Sequence, residues 1–231
     1  MKYVAVLMLG VILAGCKSTP GSSPSTLKDD KDKTSYALGV NLGKRLRADS
    51  IEINPEMFVR GVTDAADDSS KRLLTDAEVQ STLSKLDQSV AARRMAAAGA
   101  MGMKNKMEGE AFLEQNKKRE GIVTLPSGLQ YEVVKQGSGQ VPKHGQTVET
   151  RYRGTLVNGT EFDNSEKHGG TVTFGIDQVI PAWTEALLKM NVGSRWKLFV
   201  PSQLAYGERG AGGMIGPNCT LIFDIELVAI K

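Results

Sequence analysis

The residue types that ordinarily carry covalent or metal chemistry are scarce in this sequence. Its 231 residues hold two histidines, His144 and His168, and two cysteines, Cys16 and Cys219. Both histidines stand among Gly, Lys and other turn residues, and no Gly-x-Ser-x-Gly elbow exists, so a serine-hydrolase triad lacks its parts. Two lone histidines without a cysteine pair make no metal set. No Gly-rich loop precedes a Lys-Ser/Thr to hold phosphate. What remains is a group of aromatic and aliphatic residues near turns, with few polar companions: Tyr152, Phe162-Asp163, Val179-Ile180, Trp183, Tyr206, Ile215 and Phe223. That is the make-up of a small apolar pocket with one acid and one or two hydroxyls. No cofactor and no metal is expected.

The elements that must position these residues lie in the second half of the chain. Of the 13 aromatics, nine lie from Tyr131 onward, as do sixteen of the 25 glycines from Gly121 onward. Leu129, Tyr131, Val133 and then Val148, Thr150, Tyr152 alternate as strands. Asn158-Gly159 between extended segments is a hairpin-turn signal. Pro181 to Met190 reads as one short helix, with Pro in its first turn and Asn191-Val192-Gly193 at its end. Trp196 to Val200 and Thr220 to Ile230 are further strands, the last with Leu221, Phe223, Ile225 and Leu227 on one face. The predicted class is α+β: a curved antiparallel sheet wrapped around one short helix, over residues 121–231.

Upstream the composition is helical. One helix is predicted from about Thr34 to Ala48, with Tyr36, Leu38, Val40, Leu42 and Leu46 apolar. Gly39 and Gly43 on one side point to a close backbone neighbour, within the domain or in a second copy. Asn54-Pro55-Glu56 starts a second helix. Thr75-Asp76-Ala77-Glu78 is a capping box opening a third, from about Asp76 to Lys118 and ~65 Å long at 1.5 Å per residue. Val79, Leu83, Leu86 and Val90 form a buried seam in its first half. Beyond Arg93 the seam fades, and the helix is expected to be a solvent-bridging arm weakened by Gly99, Gly102 and Gly109. Met95, Met101, Met103 and Met107 along it fit either a surface touching unfolded clients or plain helix formers. Three such helices bury little core alone, so homodimerisation through residues ~34–90 is expected, with 34–120 as the dimerisation domain and long linker helix.

The first residues read as an export signal: Lys2, an apolar run from Tyr3 to Leu13, then Leu13-Ala14-Gly15-Cys16. The apolar run is about half the ~20 residues a spanning helix needs. Residues 1–15 are taken as the signal and 16–33 as a flexible tether. The alternative is an ordinary signal peptide with an incidental Cys. With Cys16 used, Cys219 has no partner for an intrachain disulfide. The net charge of +3 is too small for a dedicated nucleic-acid binder, and no nucleic-acid partner is expected.

Two resemblances follow. Leu13-Ala14-Gly15-Cys16 resembles a bacterial lipobox, which implies acylation of Cys16 and, with Lys17 next, the outer membrane, on its periplasmic face or at the cell surface. Tyr152-x-Gly154, Gly159-x-x-Phe162-Asp163, Val179-Ile180-Pro181-x-Trp183, Pro201-x-x-x-Ala205-Tyr206-Gly207 and Ile215-x-Pro217-x-x-x-Leu221-x-Phe223 resemble the FKBP-type peptidyl-prolyl cis-trans isomerase domain. Tyr36-x-x-Gly39-x-x-Leu42-Gly43, the long helix and Leu125-Pro126-Ser127-Gly128-Leu129-Gln130-Tyr131 resemble the N-terminal domain of macrophage-infectivity-potentiator-like dimeric lipoproteins.

The isomerase resemblance implies roles. Trp183 is the floor for a proline ring, and Tyr152, Phe162, Val179, Ile215 and Phe223 are walls. The N–H of Ile180 and the hydroxyl of Tyr206 are donors to substrate carbonyls, and Asp163 faces the rotating amide. Ala182, His168 and Ala211 depart from the family pattern. The implied partners are proline-containing unfolded or folding polypeptides, macrolide-type pocket ligands as inhibitors, a second copy of the chain, and a membrane through the anchor. The physics needs no covalent step. The X–Pro bond turns over a barrier of ~18–20 kcal/mol because amide resonance must be broken. The planar amide is more polar than the twisted one, so an apolar pocket favours the twisted form, and only such differential stabilisation accelerates. A second reading is a holdase or adhesion-type lipoprotein in which the dimer cleft and Met-rich arm matter more than the pocket.

Overall fold

The computed structural model describes residues 26–66 and 72–231. The expected signal, Cys16 and most of the tether lie outside the described residues. The described chain forms two compact units, one up to Leu73 and one from Leu74 onward.

The first unit holds α1 (Asp30–Ala48) and α2 (Pro55–Ala66). α1 begins four residues before the predicted Thr34, because Asp29 caps it: its carboxylate accepts from the Asp32 amide at 2.8 Å. The charged run assigned to the tether therefore ends in helix. Asn54 caps α2 as expected, accepting from the Glu56 and Met57 amides. No residue of α1 is buried. Tyr36, Leu38, Phe58 and Val62 stand exposed, and a Cβ at Gly39 or Gly43 would meet nothing within 4 Å. Close packing of these glycines within the described chain is thus not observed.

The second unit opens with α3 (Asp76–Asn116), whose Thr75–Glu78 capping box forms in full. The helix ends two residues before the predicted Lys118. Of its expected seam, Val79 and Leu83 are exposed and Leu86 and Val90 half-buried in the single chain. The prediction of an unpaired arm beyond Arg93 needs correction. Gly102, Gly109 and Asn116 are buried against the sheet-bearing part of the same unit. The contact escaped the hydrophobic pattern because two glycines and polar residues make most of it. At its lower end the buried Asn116 Nδ2 donates to Gln130 Oε1 at 2.9 Å, and Gln130 Nε2 donates to the Leu113 carbonyl at 3.0 Å.

Seven strands follow: β1 (Ile122–Thr124), β2 (Gln130–Lys135), β3 (Thr147–Leu156), β4 (Glu161–Asn164), β5 (Val172–Gly175), β6 (Arg195–Val200) and β7 (Leu221–Ile230). They form one antiparallel sheet in the order β1-β2-β6-β7-β3-β4, with β5 also on β3. The one α-helix of this region, α4 (Pro181–Leu187), starts with Pro at its first position and packs into the core. Leu221, Phe223, Ile225 and Leu227 of β7 are all buried, as their alternation predicted. With Leu129, Val148, Ile176, Ala186, Leu187 and Leu198 they form one continuous core beneath α4. The architecture is the expected α+β. Among the described residues no helix is long and apolar enough to cross a membrane.

Candidate active site

Trp183 is delivered by the first turn of α4, where the Ile180 carbonyl accepts from the Trp183 amide at 2.9 Å. Three aromatic rings meet the indole edge-on: Tyr152 at 5.1 Å, Phe174 at 5.6 Å and Phe223 at 5.3 Å between centroids. Phe162 stands edge-on to Phe223 at 5.6 Å. The sheet register explains the grouping. Tyr152 and Gly154 lie two apart on β3, and Gly154 is paired with Phe223 on β7 and Asp163 on β4. Gly154 must lack a side chain: a Cβ there would sit 2.5 Å from the Phe162 ring and 3.0 Å from that of Phe223.

The indole is 4 % exposed, with Phe223 buried beside it and Tyr152, Phe162 and Phe174 half-buried around it. Its Nε1 has no hydrogen-bond partner among the described residues. Val179 and Ile180 are half-buried, Ile215 is buried and Tyr206 is 40 % exposed at the rim. Of the residues predicted for the pocket, Tyr152, Phe162, Val179, Ile180, Trp183, Ile215 and Phe223 pack in or against one cluster. Tyr206 and Asp163 are linked to it electrostatically rather than by packing.

One acid serves the site. Asp163 accepts from the Tyr152 hydroxyl at 2.7 Å and from the Asn164 amide at 2.9 Å, and lies 3.0 Å from His168 Nε2. Burial works to raise its pKa, but the bonds from Tyr152, His168 and Asn164 outweigh that and hold it below the usual carboxylate range. Burial, then the Asp163 carboxylate, pushes the Tyr152 hydroxyl well above its ordinary value. Tyr206 is raised too, by burial first and then by Asp163. At neutral pH the site therefore holds one carboxylate and two phenolic donors.

Phe174 was not among the predicted site residues. It lies on β5, where Phe174 pairs with Val148 and Val172 with Thr150 of β3; the alternation of Val172-Thr173-Phe174 is the sequence signal that could have found it. No cluster of three or more metal-ligating side chains exists among the described residues.

Comparison with known proteins accounts for nearly the whole chain. Residues 31–133 match the domain amino-terminal to FKBP-type peptidyl-prolyl isomerase, and residues 138–228 match the FKBP-type peptidyl-prolyl cis-trans isomerase domain itself. An outer membrane protein MIP of Legionella longbeachae is 44% identical over 100% of this chain and 98% of its own length. The peptidyl-prolyl cis-trans isomerase Mip of Coxiella burnetii is 39% identical over 97% of this chain and 96% of its own. The crystal structure of FkpA from Escherichia coli superposes with a TM-score of 0.71 at 38% identity, covering 89% of this chain and 99% of that one. An aromatic cluster with a single tethered carboxylate, on a sheet wrapped around one helix and matched end to end by such relatives, has one reading: this chain belongs to the FKBP-type peptidyl-prolyl cis-trans isomerases.

Proposed function

We propose that X–Pro isomerisation by this chain runs over Trp183, with the proline ring on the indole and Tyr152, Phe162, Phe174, Val179, Ile215 and Phe223 as walls. The observation that carries this assignment is the edge-on ring of Tyr152, Phe174 and Phe223 about one indole, with Asp163 tied to Tyr152 at the rim. Such a lining solvates the planar amide poorly. Twisting about C–N withdraws charge from the carbonyl oxygen, so the twisted amide loses less on entering it. The Ile180 N–H and the Tyr206 hydroxyl hold the flanking carbonyls, and Asp163 faces the rotating amide. A ~10⁴-fold acceleration needs ~5–6 kcal/mol at 1.36 kcal/mol per tenfold, within reach of desolvation and two hydrogen bonds. The assay is cis-to-trans conversion of a prolyl tetrapeptide. Phe162→Ala and Asp163→Ala should lose turnover while keeping the native circular dichroism, and a macrolide-type ligand should block the parent. Full activity in both variants would refute the assignment.

Around this centre the reading extends to organisation and place. Residues 34–120 are assigned to dimerisation and 121–231 to isomerisation. The exposed Tyr36, Leu38, Phe58 and Val62, the open Val79–Leu83 seam and the unfilled space at Gly39 and Gly43 support a second copy as their cover. A monomeric mass by light scattering at micromolar concentration would sink this. Cys16 is assigned as an acylation site and the protein as an outer-membrane lipoprotein acting on exported polypeptides; the name of the Legionella relative supports the location. Metabolic labelling with an alkyne fatty acid should mark the parent and not Cys16→Ser. The holdase or adhesion alternative is not favoured, because the relatives across the full chain are named for isomerisation.

A further inference from the structure

The second half of α3 does more than connect. Gly102, Asn105, Gly109, Phe112 and Asn116, spaced 3, 4, 3 and 4, lie on one helix face. The first two meet the segment Gly216-Pro217-Asn218. Asn105 Nδ2 donates to the Pro217 carbonyl at 2.8 Å. Backbone approach here is close from both sides. A Cβ at Gly102 would lie 3.1 Å from Pro217 Cβ and 3.2 Å from Asn218 Nδ2. A Cβ at Gly216 would lie 3.1 Å from Asn105 Nδ2 and 3.4 Å from Met101 Sδ.

This segment adjoins two elements of the proposed site. Ile215, a wall, precedes Gly216 and is held by its own two bonds with Ala211, at 2.8 and 3.0 Å. On the other side, the Asn218 N–H donates to the Gly207 carbonyl at 2.8 Å, next to Tyr206. Asn218 takes a left-handed backbone, φ 56°, to make that turn. The loop between Ile215 and Ala211 contains Gly212 and Gly213 at positive φ and an exposed Met214, so it has little side-chain packing of its own to fix it. The helix supplies what the loop lacks.

We infer that Asn105 is a positioning residue of the isomerase site: from α3 it sets the 215–218 segment, and through it the Ile215 wall and the Tyr206 donor. The inference rests on the site assignment above and adds a residue lying outside the pocket. Because Ile215 and Tyr206 bracket substrate on one side, displacement alters selectivity among residues flanking proline as well as rate.

The test uses the full chain. Asn105→Ala and Asn105→Asp both remove the donor, the second without changing side-chain size. Each is expected to lower kcat/KM on a prolyl peptide about fivefold, the scale of one net hydrogen bond. Each should also change the ratio of kcat/KM between Ala-Pro and Leu-Pro peptides and move the Ile215 δ-methyl NMR resonance. Loss of helix stability alone moves neither the ratio nor the resonance at temperatures where the protein is folded. Lys104→Ala, on the exposed face, should match the parent in all three. Parental values of rate, ratio and resonance in both Asn105 variants overturn the inference. If the parent itself fails to isomerise prolyl peptides, the site assignment falls, and the Ile215 resonance still decides whether Asn105 holds the segment.

Discussion

Replacing Asp163 tests whether its charge or its shape matters, because the structure gives the carboxylate two separable tasks. It holds the Tyr152 hydroxyl at 2.7 Å, and it places a negative charge at the rim of an apolar hollow. Two unit charges about 4 Å apart in a medium of effective dielectric ~20 interact by ~4 kcal/mol. Breaking amide resonance returns roughly a third of a charge from oxygen to nitrogen, so a carboxylate nearer the oxygen favours the twisted over the planar amide by ~1.4 kcal/mol, about tenfold in rate. Freeing the Tyr152 hydroxyl adds about 1 kcal/mol of lost order. Asp163→Asn keeps an oxygen for Tyr152 and loses only the charge: about tenfold in kcat/KM. Asp163→Ala loses both: several tenfold. The protease-coupled prolyl-peptide assay, with stopped-flow mixing, measures each. If Asp163→Asn retains parental kcat/KM, the electrostatic part of the argument is wrong, and if Asp163→Ala does too, Asp163 has no part in the reaction.

The pH dependence carries a sign. The Asp163 carboxyl is depressed in the folded protein, with burial opposing and the Tyr152, His168 and Asn164 contacts prevailing. Its contribution to stability is therefore complete above the ordinary carboxylate range. It is lost as pH falls through the lower, folded value. Activity owed to this charge should persist from neutrality to about pH 4, where an unperturbed aspartate would already be half protonated. An acid limb that reaches half-loss above pH 5 in the parent and survives unchanged in Asp163→Asn would assign that limb elsewhere.

Further expectations follow from named contacts. Gly154→Ala drives a methyl into the Phe162 ring, and should cost about 1–3 kcal/mol in urea unfolding together with most of the activity. Asn116→Ala leaves the buried Gln130 Oε1 without its donor, and should destabilise the unit by about 1–3 kcal/mol while leaving the folded enzyme's turnover near parental. Leu83→Lys, on the open seam of α3, should shift the light-scattering mass of the protein toward one chain without loss of peptide isomerisation. Burial pushes the Cys219 thiol up, against the bond from Gly216, so its alkylation at pH 7 should be slower than that of a free thiol and should accelerate above pH 9.

What was legible in the sequence was whatever a period or a turn residue encodes. β7 alternates, and its inward residues are the buried ones. Thr75 and Glu78 spell a capping box, and both of its bonds form. Asn158-Gly159 turns, with Gly159 at φ 86°. The pocket residues could be named because aromatics near turns have few other reasons to gather. The docking of α3 was not legible, since hydrophobic pattern reports apolar stripes and this contact is made by absent side chains. Gly102 and Gly109 were read as weak points in a helix, where they are the points of closest approach; a Cβ at Gly109 would collide with Thr220. The same Gly means lost helix propensity to a local reading and access for a neighbour to a three-dimensional one, and only the second distinguishes Gly102 from Gly99, beside which there is nothing within 4 Å. It follows that Gly99→Ala and Gly102→Ala, identical in helix propensity, should part in effect. The first should stabilise the unit by the ordinary Gly-to-Ala gain of about 1 kcal/mol. The second should give up that gain against Pro217 and Asn218, and equal stabilisation in both would mean that the helix is not held against the sheet in solution.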